Sequence, residues 1–185
     1  MRLKLRKNQS SFPAEVFQET NLKILEVVGD GLSQVPSEIA KLSALENFSL
    51  QAAQVSELPK ELFELPNLKI LKIKGCPLTS LPSANVTRSL EKVQLAQTGL
   101  TELPTWFASL ENLLELDLTN NNLTTLPTGF EKLTKLRRLV IDNNSLSKLP
   151  SALYNMPSLK HLSLDGNPFS EEEKELITEK LGIWF

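Results

Sequence analysis

The sequence predicts an α/β solenoid: parallel strands stacked on the inner side of a curved array, with short helical or 3₁₀ segments outside. Three observations predict it. Leucines recur at Leu22, Leu45, Leu68, Leu90, Leu113, Leu136 and Leu159, spaced 23, 23, 22, 23, 23 and 23 residues apart by subtraction. Each interval carries one pattern, L-x-x-L-x-L-x-x-N-x-L-x-x-L-P-x-x-(I/L/F)-x-x-L-x-x. It is cleanest in Leu113, Leu116, Leu118, Asn121, Leu123, Leu126, Pro127, Phe130 and Leu133. The 185 residues are 41% hydrophobic and 23% charged, a globular rather than a disordered balance.

Each part of the repeat has a physical reason. L-x-L has the period of a strand, so two leucines point inward and the residue between them points out. The following Leu-Pro turns the chain, because proline cannot join a ladder. Apolar positions spaced by three then suit a short helical or 3₁₀ turn. One unit cannot bury its own apolar face, whereas a stack can. The chain divides into a cap and half repeat (1–21), seven repeats (22–169), and a capping helix with its tail (170–185). In the half repeat, Phe12-Pro13, Val16 and Leu22 match Val35-Pro36, Ile39 and Leu45. Leu3, Leu5 and Asn8 predict a leading strand one residue out of register.

The ninth position of the repeats runs Asp30, Ala53, Cys76, Thr98, Asn121, Asn144, Asn167. An inward polar side chain there can satisfy backbone groups of adjacent turns. Ala53 cannot, so the array is expected to be loosest near it and most regular from Leu113 onward. The third unit is one residue short at Pro82-Ser83-Ala84-Asn85-Val86-Thr87-Arg88-Ser89, and Val86 is expected to take the core place. Trp106 replaces small or polar residues, so it either covers a gap or stands out as an anchor. Phe63 and Tyr154 share a position that could form a convex aromatic patch or cover the short third repeat.

At the far end, Ser170 followed by Glu173 is a capping-box signature, and three successive glutamates suit a helix start. Leu176, Ile177 and Leu181 can face the stack, and Gly182 can end the helix. The tail Ile183-Trp184-Phe185 is expected to fold onto this cap, the alternative being exposure for a partner.

Leu103-Pro104, Leu126-Pro127-Thr128-Gly129-Phe130 and Leu149-Pro150-Ser151-Ala152-Leu153 carry a family resemblance over about residues 12–170. The chain resembles the leucine-rich-repeat superfamily in its 23-residue L-P-x-x-I-x-x-L-x-x-L form. That form is similar to Ras-suppressor and scribble-type proteins and to many bacterial repeat proteins. The resemblance implies a right-handed horseshoe used for protein recognition.

The outward strand positions form the candidate binding face. They include Ile24, Glu26, Val28, Ile70, Lys72, Lys74, Lys92, Gln94, Glu115, Asp117, Arg138, Asp142, His161 and Asp165. The face runs from aliphatic through basic to acidic, the anatomy of a protein-docking surface. Lys92, Glu115 and Arg138 share a column and are expected to form a charge ladder. Arg2, Lys4, Arg6 and Lys7 are read first as charges that blunt a sheet edge, and second as a patch for an acidic partner or membrane.

Other functions find less support. A net charge of −2 argues against a general nucleic-acid binder. No apolar run approaches the length of a membrane span, and Met1–Asn8 does not read as a signal peptide. His161, Ser163 and Asp165 alternate on one strand face, about 6–7 Å apart, too far for a catalytic triad. A metal site at His161, Asp142 and Asp165 has a weak ligand set. No catalytic residue and no cofactor is assigned. The lone Cys76 cannot form an internal disulfide, is expected to be buried and inert, and favours a cytosolic or bacterial setting. The expected protein is a monomeric, non-enzymatic module that binds a protein partner in the cytoplasm. The alternatives are the substrate-recognition domain of a secreted bacterial effector or ligase, or a surface adhesion protein.

Overall fold

A computed structural model describes residues 1–6, 10–29 and 31–184. The strands are β1 (Arg2–Arg6), β2 (Ile24–Val28), β3 (Asn47–Gln51), β4 (Ile70–Lys74), β5 (Lys92–Ala96), β6 (Glu115–Asp117), β7 (Arg138–Val140) and β8 (His161–Ser163). They form one parallel sheet in chain order. Inward residues such as Leu25, Phe48, Leu71, Val93, Leu116 and Leu139 are buried in one continuous core. The leading strand exists, but its register differs from expectation. Leu3 stands opposite Leu25 and Leu5 opposite Val27, in step with the other strands. The one-residue offset therefore falls between the strand and Phe12.

The turn after each strand takes two forms. In the third to seventh repeats, Gly75, Gln97, Asn120, Asn143 and Gly166 have left-handed backbone, with φ between 54° and 71°. That turns the next residue inward, and Cys76, Thr98, Asn121 and Asn144 are buried. Asn144 is representative. Its side-chain amide donates to the carbonyls of Leu118 (2.9 Å) and Ile141 (3.0 Å), and its carbonyl accepts the Leu123 N–H (3.1 Å). Asn121 and Asn167 repeat this pattern one repeat earlier and later. In the second repeat Ala52 has no left-handed backbone and itself fills the inward place, so Ala53 is exposed. Ala53 was expected at the ladder position, and the structure corrects that. Asp30 and Asn8 lie outside the described residues.

On the convex side, 3₁₀ turns cover 14–18, 37–41, 105–109, 130–132 and 151–155, and α1 covers Lys60–Phe63. Most begin directly after a proline whose fixed φ leads into the turn, as at Pro36 and Pro104. The short third repeat has no helical turn. Thr87 Oγ1 donates to the Leu65 carbonyl of the preceding repeat (3.0 Å), and Ser89 Oγ donates to the carbonyl of Leu68, where the third repeat itself begins (2.8 Å). Val86 is half-buried against the core.

Trp106 packs against this segment and the core. Its ring stacks on Phe107 and leans on Phe63, and its Nε1 donates to the Pro82 carbonyl at 3.0 Å. Phe63 is buried and Tyr154 half-buried, so no convex aromatic patch forms from this pair.

The cap is α2 (Glu171–Leu181). Ser170 Oγ accepts the Glu173 N–H at 3.2 Å, and Gly182 ends the helix in left-handed conformation. Ile177 is buried and Leu181 packs on the core, but Leu176 is exposed, contrary to expectation, because it lies on the outer helix face. Ile183 folds back onto the core while Trp184 is 83% exposed. Phe185 lies outside the described residues.

Candidate functional site

Alternation along each strand sends the candidate residues to the concave surface in three columns. The first runs Arg2, Ile24, Asn47, Ile70, Lys92, Glu115, Arg138, His161. The second runs Lys4, Glu26, Ser49, Lys72, Gln94, Asp117, Val140, Ser163. The third begins Val28, Gln51, Lys74, Ala96. Strands β6–β8 are three residues long, so Asp142 and Asp165 lie just beyond the strand ends. Ala96 and Val140, although outward on their strands, are buried among their neighbours.

The charges divide into those used within the fold and those left to solvent. Glu26 pairs with Arg2 and Lys4, whose ammonium and guanidinium hold its carboxyl below the usual range. These two N-terminal cations are therefore engaged within the face. The side chains of Arg6 and Lys7 lie outside what the structure describes. Lys92 meets Glu115 at 2.6 Å, but among the described residues Arg138 makes no ion pair, so the expected ladder forms on one side only. Arg138 is exposed, and water competes for its guanidinium.

The acidic end is largely structural. Asp117 accepts from Gln94 (2.7 Å), from Thr119 Oγ1 (2.6 Å) and from the Thr119 N–H (3.0 Å). Asp142 accepts from Ser163 Oγ (2.9 Å) and from the Asp165 N–H (3.0 Å). Lys72 and Lys74 differ. Both are exposed, and among the described residues neither makes an ion pair.

Lys72 borders a depression of about 130 Å³ between Ile24 and Ile70, with Asn47 and Ser49 on the strand between them and Glu26 also on its lining. The two isoleucines are half-buried, whereas Val28 is 38% exposed. Asn47 and Ser49 are outward strand positions by the sequence register but stand outside the candidate set. Their signal was small or short side chains on the strand between two isoleucine-bearing ones. A second hollow of about 220 Å³ continues along the face, lined by Lys72, Lys92, Gln94, Glu115, Asp117 and Arg138.

The remaining candidates are soon placed. His161 and Asp165 are exposed at the last strand, and Ser163 is committed to Asp142. Among the described residues, no three His, Cys, Asp or Glu side chains gather as a metal-holding group. Cys76 is buried, burial pushes its thiol up, and Sγ contacts the Lys74 carbonyl at 3.7 Å. Among the described residues no helix is long and apolar enough to cross a membrane.

A family model described as leucine rich repeat matches residues 88–146 and 127–169. Among curated proteins none matches the chain. Solved structures do. A leucine-rich-repeat protein of Leptospira interrogans is 26% identical over 95% of this chain, with a TM-score of 0.53. Toll, in the Drosophila Toll–Spatzle complex, is 28% identical over 80% of the chain, with a TM-score of 0.70. An internalin of Listeria monocytogenes is 23% identical over 90%, with a TM-score of 0.72, a likeness of fold alone. The chain spans 57%, 21% and 48% of those three chains respectively.

Proposed function

The chain belongs to the leucine-rich-repeat superfamily, and on that premise we propose that it is a non-enzymatic module that binds a protein partner through its concave face. Superfamily members generally serve protein–protein interaction, and the Toll neighbour is described in complex with Spatzle. The observation that carries the proposal here is the Ile24–Ile70 depression with Lys72 at its edge and Lys74 next outward on the same strand. These cations are exposed and make no ion pair among the described residues, while their neighbours on the face are engaged within the fold. Half-buried aliphatics with an open cation at their edge suit a partner that removes both from water. The module acts as a monomer in the cytoplasm, where its lone buried thiol fits a reducing compartment.

The test is capture of a partner by the native chain and by the triple change Ile70→Ser, Lys72→Glu, Lys74→Glu. Capture should be lost while the thermal midpoint moves little, because all three side chains reach solvent. Undiminished capture by the triple variant would place binding elsewhere. A second reading is recognition of substrate on behalf of a longer effector or ligase. It is favoured by the partial span of this chain on its structural neighbours. Coding sequence beyond Phe185 distinguishes the two.

A further inference from the structure

The concave face is electrically polarised, and the polarity points to the chemistry of what it binds. Across β1–β5 the described outward side chains carry Arg2, Lys4, Lys72, Lys74 and Lys92 against Glu26 alone. From β6 onward Glu115, Asp117, Asp142 and Asp165 outnumber Arg138. This separation lies within a chain whose net charge is only −2. After internal pairing the contrast localises. Arg2 and Lys4 are held by Glu26, Lys92 by Glu115, and the Asp117 and Asp142 carboxylates accept from neighbouring donors. Lys72 and Lys74 stay open, two residues apart on one strand and about 6–7 Å from each other.

We propose that the occupant is an acidic segment of a partner protein that seats an aliphatic side chain between Ile24 and Ile70 and sets two carboxylates against Lys72 and Lys74. This rests on the concave-face reading and deepens it. Each part of the segment has a counterpart. The depression of about 130 Å³ has room for one branched aliphatic group, with Asn47 and Ser49 keeping the intervening strand low. Lys72 borders that depression, as does Glu26, whose charge is already held by Arg2 and Lys4, and Lys74 continues the open charge along the Lys72 strand, between Gln51 and Ala96 on the neighbouring strands. A basic segment would instead meet two uncompensated cations, and like charges across an interface are strongly disfavoured. The excess charge also draws an acidic chain from a distance, so association should weaken as salt is added.

The probe is a library of random twelve-residue peptides displayed on phage and selected on the folded chain. Selected peptides should be rich in Asp and Glu flanking an aliphatic residue. The best of them should lose about tenfold or more in affinity to Lys72→Glu/Lys74→Glu, and less to Lys72→Gln/Lys74→Gln. Circular dichroism of both variants, changed only at exposed positions, checks that folding is intact. Selected peptides without an acidic excess, or acidic peptides indifferent to the double reversal, would overturn the proposal. Non-acidic peptides that are still lost on Ile24→Ser/Ile70→Ser would overturn it while leaving concave-face binding standing. Peptides indifferent to every concave change would sink both.

Discussion

Left-handed backbone at one residue per turn is what admits the next side chain to the core. Gly75 and Gly166 adopt it without cost, and Asn120 and Asn143 tolerate it. Gln97 belongs to neither class, and such a residue is strained by about 1 kcal/mol. Its side chain is exposed, so Gln97→Asn should raise stability by up to about 1 kcal/mol in urea unfolding. Gly166→Ala should do the opposite. The added Cβ would clash with Asn143 Oδ1, at a φ of 71° that already disfavours alanine. A loss of about 1–3 kcal/mol is expected, and an unchanged midpoint would refute this account of the turn. The asparagines at 121, 144 and 167 were legible in the sequence because they repeat. The condition that admits them was not, because Gly, Gln and Asn at the preceding place look like free variation. That is why Ala53 was assigned an inward position that Ala52 fills.

At the scale of elements, the cap shows the same mixture of the legible and the hidden. Its helix and both ends could be read from Ser170, Glu173 and Gly182. The use made of Glu173 could not, because it depends on a backbone group more than twenty residues away. The carboxylate is buried, accepting the Leu149 N–H at 2.8 Å and the Tyr154 hydroxyl at 3.0 Å, and so joins the helix to the last repeat. Glu173→Ala should leave that N–H without a protein partner and cost about 1–3 kcal/mol by denaturant titration.

Tyr154 adds a pH signature. Burial, then the bond to Glu173 and its charge, push the phenol above its ordinary value of 10.0. The folded value exceeds the unfolded one, so this contribution is whole below pH 10 and is lost as pH rises through the folded value. Thermal midpoints of the native chain and Tyr154→Phe should therefore converge above pH 10. A gap that stays constant would show that the hydroxyl does not couple to the cap.

Over the whole molecule, the two halves of the array are stitched differently. Strands β1–β5 are five residues long, and the first two turns have no inward polar side chain among the described residues. Strands β6–β8 are three residues long, and there Asn121, Asn144 and Asn167 bond the backbone of the preceding repeat. The side-chain bonds there add to the backbone ladder, which continues past the strand ends from Leu118 N–H to the Val140 carbonyl (2.8 Å) and from Ile141 N–H to the Ser163 carbonyl (3.0 Å). Hydrogen exchange should show the difference. Slow amides should be confined to strands in the first two repeats and should reach the turn amides of Leu100, Leu123 and Leu146 later.

The same logic says how to extend the ladder toward the N-terminus. By the spacing seen at Asn144, an asparagine at position 53 would accept from Leu32 N–H and donate to the Val27 carbonyl. Ala53→Asn alone should gain nothing, because Ala52 keeps the turn in the form that exposes position 53. Ala52→Gly alone should destabilise, since it removes a buried methyl group. Together they should slow exchange at Leu32 and stabilise by on the order of 1 kcal/mol, the net value of one internal hydrogen bond. The non-additivity is the decisive reading. If the double variant equals the sum of the singles, turn conformation and side-chain identity are independent, and the ladder is not gated by the residue before it.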